Sequence, residues 1–416
     1  MTSALDDLKT ATDGKIRDAT DDDAVAGVAA AWVVSPGSAA EASALMRAAA
    51  AHGLTLVARG AGTKLGWGAP PERVDVVVDT TAMDQVVEHA AGDLIAVVGA
   101  GLRLDDLQAR LAGAGQRVGI DPPRSGTVGG AVATASTGPT RLVHGSVRDL
   151  VIGMRFVRPD GVAAHAGGKV VKNVAGYDLG KVLTGSFGTL GLITEVAFRL
   201  HPLPEAQRWV TCAVGEPSGI QQLVSALVHS QLVPAGVELD RSRDGGSLSV
   251  LLEGIAPGVE QRVGEVRALL GGDATDSEKP PAWWGTEPAS SSGVLLKVTH
   301  EIARVRQLLD ALDEAARAAG LATPLRGSPA VGTALVGVDA ADGGVPSPEA
   351  VRDLVDRLRG RSGTFGGSVV VLEAPPEVRE HLDVWGPVSA LELMHSVKQR
   401  FDPERRLAPG RFVGGI

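Results

Sequence analysis

Apolar residues recur along this chain in two rhythms. Before about residue 204 they form short strand-like runs broken by glycine-rich loops, and from Gln207 to Ala374 strand-length and helix-length runs alternate. Ser38-Ala39-Ala40-Glu41 has capping-box spacing and predicts a helix to about His52, ended by Gly53. Leu54–Arg59 predicts a strand that feeds a glycine-rich loop, Gly60–Gly68. Strands follow near Asp75–Asp79, Gln85–His89 and Leu94–Gly99, the last two joined as a hairpin through Ala91-Gly92-Asp93. Leu104–Leu111 reads as a short amphipathic helix, and Ser125–Gly138 as a second glycine-rich region. Arg158-Pro159-Asp160-Gly161 is a turn, because proline fixes its φ and glycine accepts a positive one; it joins Leu150–Val157 to Val162–Ala166. Gly188–Leu200 closes this part.

The second rhythm reads β-α-β-β-α: Trp209–Val214, Ser218–Gln231, strands near Val237 and Leu248–Leu252, then Val259–Leu270. After a Pro/Ser-rich break, Pro280–Ser292, it repeats through Val294–Thr299, Ile302–Ala319, strands near Leu325 and Ala334–Val338, Pro348–Arg361 and Ser368–Leu372. Two successive split β-α-β patterns predict an α/β cap on antiparallel sheet, built of ferredoxin-like repeats. Asp240–Gly246, Gly271–Ser292 and Asp339–Ser347 read as loops of that cap, and Val388–Ile416 as a helix with a short extended end.

Length and charge narrow the picture. A chain of 416 residues holds two or three domains. With 40 basic and 49 acidic residues the net charge is −9, which argues against a nucleic-acid-binding surface. An apolar content of 44% excludes global disorder, and 54 glycines beside 3% aromatics point to tight turns and close backbone approaches. The single cysteine, Cys212, excludes an internal disulfide and a cysteine-ligated iron–sulfur cluster held by this chain. The longest apolar run, Ala24–Val34, is too short to span a bilayer, and Asp21-Asp22-Asp23 is the wrong flank for a secretory signal. The expectation is a cytoplasmic protein.

Three glycine-rich stretches carry the candidate chemistry. In Arg59-Gly60-Ala61-Gly62-Thr63-Lys64, successive glycines let backbone N–H groups converge on an anion such as a pyrophosphate. No Gly-Lys-Ser/Thr follows at P-loop spacing, and a tight connection is the plain alternative. Val98-Gly99-Ala100-Gly101 imitates the start of a dinucleotide fingerprint, but Leu104 occupies the third glycine position, so it reads as structural. The second stretch, Thr127-Val128-Gly129-Gly130-Ala131-Val132-Ala133-Thr134 with Ser136 and Gly138, would let backbone lie against a flat ligand; a glycine/alanine-packed helix start is the alternative. The third runs from Lys172-Asn173-Val174-Ala175-Gly176-Tyr177-Asp178 to Gly188-Thr189-Leu190-Gly191-Leu192-Ile193.

Together these stretches resemble the FAD-binding (PCMH-type) domain of the vanillyl-alcohol oxidase / p-cresol methylhydroxylase family, in order and spacing, over roughly Ala24–Pro204. Within it the chain resembles the flavin subunit of bacterial glycolate oxidase, and its ending Phe401-Asp402-Pro403 … Ala408-Pro409-Gly410-Arg411 is similar to that branch's closing segment, with Ala408 replacing asparagine. The resemblance implies an α+β fold: a two-subdomain FAD-binding domain over 1–204, a cap or substrate domain over 205–385, and a segment, 386–416, returning to the first. It implies that Arg59, Gly60, Ala61, Gly62, Thr63 and Lys64 hold FAD together with Thr127, Val128, Gly129, Gly130, Thr134, Ser136 and Gly138, and that Gly188, Thr189, Gly191 and Ile193 meet other parts of it. Thr63 stands where some relatives bond flavin to histidine, so FAD is expected to be non-covalent.

Oxidising a 2-hydroxy acid at flavin needs a hydride acceptor, a base for the hydroxyl proton and a cation for the carboxylate. The candidates are His144, Tyr177 and Arg411 as catalytic residues, with Lys172 or Arg148 as further sources of charge. Each has a plainer reading: a hydrogen-bonded loop for His144, flavin or turn positioning for Tyr177, an ion pair with Asp149 for Arg148. Related catalytic subunits carry a histidine-rich metal cluster in the cap and a Gly-Glu-His-Gly segment, whereas the nine histidines here are scattered, so no metal is expected. Trp283-Trp284 reads as a loop anchor or as a cover for flavin or a partner. The resemblance thus implies an FAD-dependent subunit oxidising small 2-hydroxy acids to 2-oxo acids, in a complex with a homologous catalytic flavin subunit and an iron–sulfur subunit, any membrane association being peripheral through them. A free-standing flavin alcohol oxidoreductase and a flavin-binding assembly subunit without turnover are the alternatives.

Overall fold

The computed structural model describes residues 3–168, 178–243, 245–288, 290 and 292–416. These divide into two compact units. The first holds residues 1–137, 145–203 and 387–416, and the second 138–144 and 204–386.

In the first unit, valine-rich runs form a four-stranded sheet ordered Ile16–Asp18, Trp32–Val34, Val76–Asp79, Leu56–Arg59. The last three are mutually parallel, and helix Ala39–Ala51 packs its Leu45 and Met46 into the core beneath them. Ser38 caps that helix by accepting from the Glu41 amide. The reciprocal half of the predicted capping box is missing, because the Glu41 carboxylate accepts instead from the Gly37 amide and pairs with Lys15. Helix Ala4–Ala11, not among the predicted elements, is capped by Ser3 and buries Leu8 in the same core.

A second, five-stranded antiparallel sheet follows, ordered Val86–Ala90, Ile95–Gly99, Leu192–Arg199, Val151–Val157, Ala163–Gly167. Both predicted hairpins are present. Helices Leu104–Ala112 and Val128–Ala133 cover one face, with Leu107, Leu111 and Val128 in a core that includes Phe156 and Phe198.

The second unit is one large antiparallel sheet whose path runs Thr275–Ser277, Ala206–Val214, Gly245–Gly254, Gly236–Ser242, Leu325–Ser328, Thr333–Ala340, Val294–Thr299, Val369–Glu373. Helices Pro217–Val228, Ala256–Leu270, Val305–Ala319 and Pro348–Gly360 bury their apolar stripes: Leu308, Leu309 and Leu312 of the third are at most 1% exposed. Two predicted loops need correction. Most of Asp240–Gly246 is paired strand, and Gly271–Ser292 contains the edge strand Thr275–Ser277; short polar strands at a hairpin and an edge lack the apolar alternation that betrays a strand.

Candidate functional site: a glycine-lined cleft

The first glycine loop leaves the carboxyl end of Leu56–Arg59, where open sheets with parallel strands bind ligands. It lines a cleft together with parts of the other two stretches. Close backbone approach brings the stretches together. A Cβ on Gly60 would lie 2.0 Å from Thr127 Oγ1, so only glycine fits there. Thr127 also caps helix Val128–Ala133, accepting from the Gly130 amide at 3.3 Å. The Phe187 amide donates to the Ala133 carbonyl at 2.8 Å, which brings the third stretch onto the end of that helix.

The amides of Gly60, Ala61, Gly62 and Thr63 donate to no acceptor among the described residues, and Gly62 has φ +75°. Four successive unspent donors on a cleft wall form a concavity suited to an anion such as a pyrophosphate. The small side chains around them, Ala58, Ala100 and Ala133, leave room for a flat group. The residues therefore fit a dinucleotide such as FAD.

Most of the sequence-predicted cofactor residues meet here: Arg59 to Lys64, Thr127, Gly129, Gly130, Thr134, Gly188, Gly191 and Ile193 all line the cleft. Four do not. Val128 is a core side chain; Ser136 is buried with its hydroxyl on Thr134; Thr189 spends its own on the Ser186 carbonyl; Gly138 belongs to the second unit. Gly129 lines the cleft, but its missing Cβ faces Ala100 at 2.9 Å, so glycine there serves packing. In the fingerprint look-alike, Gly99 and Gly101 are pressed against the carbonyls of Met83 and Thr80, while Ala100 reaches the cleft.

Charge is arranged differently from expectation. The Arg59 guanidinium is held by Asp23 at 2.6 Å and Asp79 at 2.9 Å. Burial alone would push the Asp79 carboxyl up, but hydrogen bonds from Thr81 and Arg59 outweigh it and hold it below the usual carboxylate range. Lys64 donates to the Arg124 carbonyl and stands 5.6 Å from the Trp67 ring centroid. Arg411 lines the cleft, and its Nη2 donates to the carbonyls of Lys64 and Leu65, so it braces the first loop.

Of the other catalytic candidates, His144 ends the short helix Arg141–His144 in the second unit, and Tyr177 lies outside the described residues, as does Lys172. Arg148 is exposed, and Asp149 closes a capping box with Ser146. Among the described residues no group of three or more His, Cys, Asp and Glu side chains converges as a metal site. Cys212 is buried in strand Ala206–Val214, and burial pushes its thiol pKa up. Trp284 packs with Trp209, Ala235 and Leu251 in the second unit, so it anchors a loop.

Sequence reading missed Lys297 and Arg141. In the second unit's sheet Lys297 stands in register with Leu335 and Val370, and Leu335 with Arg326, whose charge Asp240 neutralises at 2.6 Å. Neither Lys297 nor the Arg141 side chain has a hydrogen bond or ion pair among the described residues. Burial, with Arg141 nearby, pushes the Lys297 ammonium below its ordinary value. A polar residue inside an otherwise apolar strand, Val294-Leu295-Leu296-Lys297-Val298, was the available signal.

Fold and cleft together define a flavin-binding protein of the PCMH type. Residues 30–167 match the family described as FAD binding domain. The chain is 28% identical over 424 residues to an uncharacterized FAD-linked oxidoreductase of Mycobacterium tuberculosis, covering 92% of this chain and 91% of that protein. It is 34% identical over 221 residues to glycolate oxidase subunit GlcE of Escherichia coli, covering 52% of this chain and 60% of that one. A structure of alkyldihydroxyacetonephosphate synthase aligns with a TM-score of 0.71 at 17% identity, covering 98% of this chain and 84% of that chain, which shows the shared fold. The chain thus carries an FAD binding domain and is similar to FAD-linked oxidoreductases, among them glycolate oxidase subunits and D-lactate dehydrogenases. No helix among the described residues is long and apolar enough to cross a membrane.

Proposed function

We propose that this chain holds FAD non-covalently and oxidises small 2-hydroxy acids to 2-oxo acids, in the cytoplasm, passing electrons to a separate iron–sulfur subunit. The observation that carries the cofactor half is the row of unspent amides from Gly60 to Thr63 on a cleft lined by all three glycine stretches. These amides, with Thr127, Gly130 and Gly188, hold the pyrophosphate and flavin; Arg411 braces the loop. Thr63 offers no histidine-type tether. When bound, FAD supplies hydride acceptance.

The substrate half rests on similarity to glycolate oxidase subunits and D-lactate dehydrogenases. The reaction further needs a cation for the carboxylate and a base for the hydroxyl proton, with His144 and Tyr177 as the candidates for the base. A chain with one cysteine holds no cysteine-ligated cluster, so electrons leave through a partner, alongside a homologous catalytic flavin subunit. A second reading, a flavin-binding subunit without turnover, is favoured by the scattered histidines, which form neither an H-x-x-H nor a Gly-Glu-His-Gly pattern.

The test is the visible absorbance of the purified, FAD-loaded chain before and after anaerobic addition of glycolate or D-lactate. Bleaching is the expected result. Flavin that stays oxidised with every small 2-hydroxy acid tried overturns turnover by this chain alone and leaves the subunit reading. A protein that takes up no FAD overturns both.

A further inference from the structure

We propose that Lys398 is a positioning residue for the flavin site, its buried ammonium clasping the third glycine stretch to the C-terminal segment and so setting how firmly the cleft grips FAD. The inference rests on the reading of the cleft as the FAD site. Lys398 lies in the last turn of helix Leu391–Phe401 and is 4% exposed. Its Nζ donates to the Thr189 carbonyl at 2.8 Å, the Leu407 carbonyl at 2.9 Å and Asp402 Oδ2 at 2.7 Å. An ammonium has three protons, so the group is saturated without touching the cleft.

Each acceptor leads to the cleft wall. Thr189 sits between Gly188 and Gly191, which both line it. Leu407 lies beside strand Leu56–Arg59: the Leu56 amide donates to the Arg406 carbonyl at 2.8 Å, and the Ala408 amide donates to the Leu56 carbonyl at 2.9 Å. Asp402, fully buried, accepts from the amides of Arg406 and Leu407 and so shapes the turn that delivers them. Arg411 then reaches the carbonyls of Lys64 and Leu65. One ammonium thus ties the third glycine stretch to the segment that borders the first.

Stability by itself is a poor reason for this arrangement. Burying an ammonium and a carboxylate carries a desolvation cost, and well-packed apolar residues often serve a core as well or better. What the ionic clasp adds is a fixed separation between Gly188–Gly191 and the wall formed by Ala58 to Lys64. A ligand that touches both walls binds more weakly when its outer support is loose.

Lys398→Met keeps the stem and removes the ammonium. FAD is titrated into the apo-protein well below its melting temperature, followed by quenching of flavin fluorescence, and the bound flavin's visible circular dichroism is recorded. Leu8→Ala serves as the comparison, since Leu8 is fully buried in the same unit and does not line the cleft. Lys398→Met is expected to weaken FAD binding roughly 10–100-fold, the range for loss of an outer-shell partner, and to change the visible dichroism. Leu8→Ala is expected to lower the melting temperature and leave FAD affinity unchanged. Wild-type affinity and dichroism in Lys398→Met overturn the inference, as does an equal loss in Leu8→Ala. Wild-type protein that takes up no FAD overturns the reading of the cleft instead. Should Lys398→Met fail to fold, Asp402→Asn, which keeps an acceptor but loosens the hold on Lys398, is judged by the same two readouts.

Discussion

Asp23 Oδ1 meets Arg59 Nη1 at 2.6 Å, and this contact neutralises the arginine that opens the first glycine loop. Arg59 Nη2 goes to Asp79, and Asp23 also receives both terminal nitrogens of Arg17 at 2.7 Å. The anion-attracting power of the loop is therefore carried by its backbone amides, while Arg59 fixes where the loop begins.

Asp23 consequently makes stability depend on pH. The Arg17 guanidinium, seconded by Arg59, holds its carboxyl far below the usual carboxylate range against the effect of burial. A carboxyl depressed on folding contributes stability that is full above its unfolded value, about 4, and is lost as pH falls toward the folded value. Asp23→Asn is expected to cost roughly 1.5–3 kcal/mol at neutral pH. It also flattens the loss of stability below about pH 4. Urea unfolding at a series of pH values checks both; an acid limb as steep as in wild type would refute the assignment.

Ala61→Glu places a carboxylate on the cleft wall among the unspent amides. Like-charge opposition to a pyrophosphate costs several kcal/mol, so FAD binding is expected to weaken at least about 100-fold with the fold intact. Gly129→Asp makes the contrast. Its new Cβ meets Ala100, so it lowers melting temperature and folded yield first. Flavin absorbance per protein and a thermal melt separate the two outcomes.

Lys297→Met removes an unpartnered ammonium from the second unit's sheet. Burial and then Arg141 depress this ammonium, so the fold bears its cost at every pH below its lowered pKa. The variant therefore melts higher than wild type at neutral pH. Thermal melts across pH decide it: the gain shrinks as pH rises from the lowered value toward the ordinary lysine figure of about 10.4.

Trp284 meets Trp209 edge-on with centroids 6.2 Å apart and Trp283 at 6.3 Å. Trp284→Ala is expected to destabilise the second unit by about 3 kcal/mol. FAD content stays at the wild-type level, because the ring anchors a loop. Near-ultraviolet dichroism during unfolding and the flavin absorbance of the folded protein test the two halves; loss of flavin would make Trp284 a cofactor contact.

Local chemistry was legible in the residues themselves. Gly62 is glycine because its φ is +75°, and Gly60 because Thr127 leaves no space for a Cβ. The cap's two repeats were visible in the change from period-2 to helical patterning, and the edge strand Thr275–Ser277 was not, because it buries nothing. Lys297 broke an apolar run, but nothing along the chain placed it near Arg141.

The sequence by itself determined the three glycine stretches, the helix caps and the alternation of strand and helix, since backbone freedom and amphipathic period depend on neighbours in the chain. Only the tertiary structure decided which charges are spent. Arg59 is neutralised by Asp23, 36 residues away, and Lys398 reaches the carbonyl of Thr189, 209 residues away. Electrostatic roles depend on distance and burial in space, and a residue's own type carries neither.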